Sequence, residues 1–295
     1  MTIKDEELLM EFPCSFAVKA MGKAADDFDA LVFSLVSQHV PNLGEGAVRS
    51  KASGGGKYLS VTVTFEALPE RAAAFLARVK QQAADSLRAE GWNPYVIHLG
   101  ARYEPRGALG YILAAREILD QIDAMNIDVT RIVTASGSGQ THSGLLTGLR
   151  LAGSGLPVTG ICVRRDAEQQ HARITQVCKN LGHLIGRPDL VKPDDVQVTD
   201  EFLGPGYGKN SPETWGAFLA AAREEGLMLD PVYTSKSFAG ALAAAADIGP
   251  KGGTVLYLHT GGLPALAAYE AAIDQALAAQ DPQSADGQST LRKES

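Results

Sequence analysis

The run Thr130-Arg131-Ile132-Val133-Thr134-Ala135-Ser136-Gly137-Ser138-Gly139-Gln140-Thr141-His142, continuing as SGLLTGLRLA, decides the fold. Residues 130–135 read as a strand and residues 141–152 as a helix, with a glycine-rich turn between them. Glycines let the backbone turn sharply and let N–H groups approach an anion. A hydroxyl from Ser138 or Thr141 adds a donor, and the start of a helix adds a positive dipole. Two readings fit: a phosphate cradle, or an ordinary tight strand-to-helix turn. No Gly-Lys-Ser/Thr follows, so this is not a Walker A loop, and the GxGxxG spacing is absent.

Outward from this turn the same rhythm repeats. Helix 108–125 leads into it, and strand 157–163 with helix 166–185 follows. Helices 211–225 and 235–247, strand 254–259 and a last helix 263–279 complete the series. Strands alternating with longer helices predict a parallel sheet covered on both faces. The polar stretch 281–295 is expected to be a disordered tail.

Upstream the rhythm differs. Strand 14–20, helix 26–39, an SGGG turn, strand 58–65, a helix from Pro69 to about Glu90, and a short strand 94–99 follow one another. That order is the split βαββαβ of a ferredoxin-like module. The expected division is therefore a module over 1–80 and a larger α/β domain over 81–280.

Composition narrows the partners. The chain has 295 residues, a net charge of -7 and 21% charged residues, which excludes global disorder. Its acidity argues against nucleic acid or an anionic membrane, both of which need clustered Lys and Arg. Cys14, Cys162 and Cys178 are too few and too scattered for a disulfide framework or a CxxC metal site, so no metal is expected. The opening MTIKDEELLM is acidic and lacks an apolar signal core, and no apolar run approaches a membrane span. The expectation is a cytoplasmic protein.

Three further stretches carry candidate chemistry. Gly204-Pro205-Gly206-Tyr207-Gly208 holds a tyrosine in a loop, either presented to a cleft or merely packed there. In Asp230-Pro231-Val232-Tyr233-Thr234-Ser235-Lys236 the Asp-Pro starts a turn, and Thr234 or Ser235 is placed to cap the next helix. His259-Thr260-Gly261-Gly262 lies at the carboxyl end of an apolar strand, where open α/β sheets bind ligands. The Arg164-Arg165 pair reads as a solvated strand end, and Cys162 as a small core residue.

In this order GALGY (Gly107 to Tyr111), GSGQTHSGL, GPGYG with DPVYTSK, and HTGGLPAL closely resemble the D-cysteine desulfhydrase / 1-aminocyclopropane-1-carboxylate deaminase family. The resemblance covers roughly residues 83–279. It implies a tryptophan synthase β-like fold (fold type II), pyridoxal 5'-phosphate as cofactor and a small amino acid as substrate; a homodimer is a separate expectation. It implies that Gly137, Ser138, Gly139, Gln140 and Thr141 hold the cofactor phosphate. Tyr207 and Tyr233 match the active-site tyrosines, and Thr260 matches the residue facing the pyridine nitrogen in desulfhydrase-type members. Thr234 stands where deaminase members carry Glu, which places the chain nearer the desulfhydrase branch. The first part, LLMEFPCSFAVKAMG with RSKASGGGKYLSVTVTFEA, resembles the small YbeD-like family with its ACT-like fold.

One departure shapes the functional expectation. Members of the enzyme family carry the Schiff-base lysine in a GGNK-type motif, with a Ser-Asn-His motif beside the cofactor. Neither motif occurs here. Gly55-Gly56-Lys57 belongs to the YbeD-like hairpin, and Lys209 and Lys236 lie in motifs where the family does not use the lysine covalently. Without an amine at the aldehyde, β-elimination loses its covalent route. The expectation is a partial fold-type-II domain fused to an ACT-like module, binding its cofactor weakly or non-covalently, with impaired lyase chemistry. The alternative is a non-catalytic regulatory fusion protein that binds pyridoxal phosphate, another phosphate or an amino acid.

Overall fold

The computed structural model describes residues 103–249 and 252–279 throughout, the backbone of four strands upstream, and single residues between 81 and 101. The chain divides into two compact units, Met1–Ile97 and His98–Ser295.

In the first unit β1 (Met10–Lys19), β2 (Val48–Arg49), β3 (Ala52–Ser53) and β4 (Tyr58–Ala67) form an antiparallel sheet. β4 lies at the centre and pairs with β1 from Met10↔Ala67 to Lys19↔Tyr58. The expected strands 14–20 and 58–65 are thus present, each somewhat longer than read. Helix 26–39, strand 94–99, Lys57 and the tail 281–295 lie outside the described residues, as does most of helix 69–90.

The second unit follows the expected alternation. Its elements are α1 (Leu109–Met125), β5 (Val129–Ser136), α2 (Gln140–Leu151), β6 (Val158–Cys162) and α3 (Ala167–Leu184). Then come β7 (Gln197–Thr199), α4 (Pro212–Glu225), α5 (Thr234–Ile248), β8 (Thr254–Leu258) and α6 (Glu270–Ala279). The sheet order is β7-β6-β5-β8 and every pairing is parallel.

Alternating side chains send each strand's residues to two cores. Ile132, Val158, Leu256 and Leu258 pack with Leu145, Leu149 and Ile174 on the side of α2 and α3. Val133, Ile161, Val255 and Tyr257 face the other way, against Ala239, Ala241 and Ala244 of α5. Small residues on α5 let that helix approach the sheet closely. Cys162 and Cys178 are both buried, and burial pushes the two thiols up to about 12 and about 11. They are core residues, as read for Cys162.

Two readings change in detail. The last helix is divided: a 3-10 segment over Leu263–Ala268 precedes α6, with Pro264 in its first turn. β7 was not expected from the sequence. Three residues are too few to show a period, and only pairing with β6 at Gly160↔Val198 makes them a strand.

Candidate active site

The turn after β5, the GPGYG loop with the Asp230 turn, and the HTGG stretch after β8 are linked by contacts through Tyr233 and Asp230. The turn after β5 comes first. Gly139 has φ 92, and a Cβ there would lie 2.8 Å from Ile174 Cδ1, so the position demands glycine on both counts. Gly139 is the N-cap of α2, and no side chain caps it. The first-turn N–H groups of that helix therefore have no acceptor within the helix.

The carbonyls of this turn are held from the opposite side. Gly137 O accepts from Arg165 Nη1 at 3.1 Å and from Gln170 Nε2 at 3.2 Å, and Ser138 O accepts from Arg173 Nε at 2.7 Å. In a planar trans peptide the next N–H points away from the carbonyl. The N–H groups of Ser138 and Gly139 therefore point away from the donors on and just before α3. Two N–H groups turned away from these donors and an open helix N-terminus are the kind of donors that bind a phosphate.

A buried chain supports the turn. Gln170 Nε2 donates to Ser136 Oγ at 2.8 Å, and Ser136 Oγ meets His142 Nδ1 at 3.2 Å. Ser136 thus joins the Gln170 amide to the His142 ring in one buried hydrogen-bonded chain. His142 is fully buried; burial pushes its pKa down to about 4, so the ring is neutral.

Tyr233 lies beside the turn. A Cβ on Gly137 would be 4.0 Å from its Cε1. The Tyr233 hydroxyl is hydrogen-bonded to the Tyr207 hydroxyl, and the two rings stand edge to face with centroids 5.9 Å apart. Burial, then the bond to Tyr207, holds the Tyr233 hydroxyl well above the usual phenol range. Arg164 lies over the Tyr207 ring, 5.7 Å from its centroid. Tyr207 itself is half exposed, as a residue facing a cleft would be.

Asp230 organises the Asp-Pro turn. Its Oδ1 accepts from the N–H groups of Val232 and Tyr233, both at 2.8 Å, and its Oδ2 from Thr234 N at 2.9 Å and Thr234 Oγ1 at 2.6 Å. The N-cap position of α5 is Tyr233, whose own side chain makes no cap, whereas the sequence suggested Thr234 or Ser235; the Asp230 carboxylate accepts from the first helical N–H, that of Thr234, and the Thr234 hydroxyl points back to it. Gly262 packs against that carboxylate so closely that no Cβ would fit, which brings the HTGG motif to the same place. His259 Nδ1 accepts from Gly261 N, and Nε2 bonds Met228 O. Thr260 is exposed at the end of β8.

The GPGYG loop is anchored from beneath. Lys236 is fully buried, and its Nζ donates to Leu203 O at 2.6 Å and Gly206 O at 2.7 Å. Burial lowers its pKa to about 8. Tyr269 adds a bond from its hydroxyl to Gly208 O at 2.8 Å.

The structure therefore brings Gly137, Ser138, Gly139, Gln140, Thr141, Tyr207 and Tyr233 into one neighbourhood, with Thr260 at the end of the adjacent strand β8. Sequence reading missed Asp230 as organiser, Lys236 as anchor, and the Arg165–Gln170–Arg173 face. The one signal available was two arginines directly after an apolar strand, a pattern that solvated strand ends share.

Comparison with known proteins agrees with this geometry. The family model described as "Pyridoxal-phosphate dependent enzyme" matches residues 48–261, and the chain belongs to that family. A second model, "Protein of unknown function (DUF493)", matches residues 7–74, so the two matches overlap in the β2–β4 region. D-cysteine desulfhydrase of Serratia proteamaculans (strain 568) is 36% identical over 198 residues, covering 64% of this chain and 58% of the relative. That of Yersinia enterocolitica is 37% identical over 193 residues, covering 64% and 56%. A crystal structure of an ACC deaminase homologue superposes with a TM-score of 0.59 at 32% identity, covering 68% of this chain and 59% of the other. The fold is that of the pyridoxal-phosphate-dependent desulfhydrase and ACC deaminase-like proteins, joined to a DUF493-type N-terminal segment. The chain spans between 56% and 58% of the length of these two curated relatives.

Proposed function

We propose that this chain binds pyridoxal phosphate non-covalently through Gly137, Ser138, Gly139, Gln140 and Thr141, and that it is a desulfhydrase-branch protein whose lyase chemistry is impaired. The observation that carries this reading is the turn itself: an uncapped helix N-terminus whose neighbouring carbonyls are turned away by Arg165, Gln170 and Arg173. Such a site takes a phosphate whatever the net charge of the chain.

Bound there, pyridoxal phosphate supplies an electron sink for the α-carbon of a small amino acid, D-cysteine being the substrate of the relatives by name. The Gly137–Thr141 backbone would hold the phosphate, and Thr260, exposed at the end of β8, would be the residue available to the ring nitrogen. The hydroxyls of Tyr207 and Tyr233 are hydrogen-bonded to each other, and burial together with that bond keeps Tyr233 protonated well past the usual phenol range. Impairment follows from the missing lysine motif. Buried Lys236, beneath the Tyr207 loop, offers no substitute, because its Nζ is engaged by two carbonyls.

The regulatory alternative shares the same binding step and differs in turnover. Titration with pyridoxal phosphate, borohydride reduction and a sulfide assay with D-cysteine separate the possibilities. Saturable binding with no cofactor fixed to the chain and no sulfide is the expected result, and it leaves the regulatory role as the working one. Cofactor fixed to a lysine by borohydride, with sulfide released, overturns the impairment. No binding overturns the whole reading. Homodimer formation is a further proposal, read directly by light scattering of the full chain.

A further inference from the structure

Resting on the reading of Gly137–Thr141 as the phosphate site, we propose that Arg165 and Arg173 are positioning residues for that site. They hold the turn's carbonyls on the α3 side, and they supply positive charge behind the N–H groups that meet the anion.

The geometry is specific. Arg165 directly follows the strand end and reaches Gly137 O, while Arg173, two turns along α3, reaches Ser138 O through its Nε at 2.7 Å. Each guanidinium fixes one peptide plane, and these two planes carry the N–H groups of Ser138 and Gly139. Gln170, fully buried between them, ties the Gly137 carbonyl to the Ser136 hydroxyl. A glycine-rich turn free of these anchors would have many peptide orientations available. The anchors select one of them before any ligand arrives, which is how preorganised donors gain affinity.

Charge points the same way. Burial first, then the proximity of Arg173 and Arg164, lowers the Arg165 pKa to about 10 against a smaller opposing influence of Cys162. Arg173 is lowered by burial and by Arg164. Gathering guanidinium groups costs free energy in the free protein, and a dianion at the adjacent turn relieves that cost. A bound phosphate dianion is therefore favoured over a neutral or singly charged group of the same shape.

The experiment measures pyridoxal phosphate binding to the full chain by calorimetry across a series of salt concentrations, with pyridoxal as the phosphate-free control. Arg165→Met and Arg173→Met are each expected to weaken pyridoxal phosphate binding about tenfold, to flatten its salt dependence, and to leave pyridoxal unaffected. Arg165→Lys and Arg173→Lys keep the charge and are expected to restore the salt dependence. Thermal unfolding of each variant separates these effects from misfolding, and for any variant that does not fold the matching lysine variant carries the test. Wild-type affinity and salt dependence in both folded Met variants overturn the role of the arginines while leaving the phosphate site intact. Failure of the wild-type chain to bind pyridoxal phosphate overturns the site itself and this role with it.

Discussion

The hydroxyl of Tyr207 meets the hydroxyl of Tyr233, although the two residues lie on different loops and 26 positions apart. The contact joins the GPGYG loop to the start of α5, and Tyr233 in turn lies against the turn that begins at Gly137. Removing the Tyr207 hydroxyl removes one of the influences that raise the Tyr233 pKa. In Tyr207→Phe, Tyr233 is expected to ionise at lower pH, yet still above the ordinary phenol value because burial remains. Ultraviolet titration of tyrosinate reads this directly, and an unchanged curve would refute the coupling.

Gly139→Ala combines a strained φ with a Cβ 2.8 Å from Ile174. The expected cost is about 1–3 kcal/mol of stability, measured by denaturant unfolding. Gly139→Asp adds a negative charge at the proposed anion site, so binding of pyridoxal phosphate should be lost as well. Wild-type stability in the alanine variant would mean that the turn relaxes freely.

Lys236 links stability to alkaline pH. Its pKa falls from the ordinary 10.5 to about 8 in the folded chain. Below about 8 the lysine is charged in both states and its burial costs most. From there upward the unfolded chain holds a proton that the folded chain has lost, so stability rises with pH. Tyr233 and Tyr257, whose pKa values are raised above 10.0, act in the opposite sense beyond that point. Relative to Lys236→Met, the wild type should gain about 2 kcal/mol between pH 8 and 10, read from urea unfolding at each pH. A parallel pH dependence in both proteins would show that the lysine is not held in this way.

His142 gives the acid counterpart. Its pKa falls from 6.5 to about 4, so between those values the unfolded chain binds a proton that the folded chain does not. Stability is complete above 6.5 and declines as pH falls toward 4. His142→Leu should remove about 3 kcal/mol of that decline. It should also cost about 1–3 kcal/mol at neutral pH, because buried Ser136 loses a hydrogen-bond partner. Coincident acid limbs for the two proteins would contradict a neutral buried imidazole.

Much of the second unit was legible in the chain order. The strands and helices from 108 to 259 fall within about two residues of the expected limits, because their periods are long and their ends carry glycine, proline or acidic caps. β7 was not, since a three-residue edge strand exists only through its neighbour. Of the candidate site, the glycines and tyrosines were visible as motifs. Asp230 and Lys236 were not assigned their tasks, because a carboxylate that satisfies four donors and an amine that bridges two carbonyls make contacts that no spacing encodes.

The sequence by itself determined the alternation of strands and helices, the glycine turn at 137–139 and the absence of the GGNK-type lysine motif, because each is a matter of local residue type and order. Only the tertiary structure decided which way that turn faces. Its carbonyls are claimed by Arg165, Gln170 and Arg173, which lie 28 to 35 residues downstream, and the N–H groups are left for a ligand because a planar peptide cannot present both to the same side.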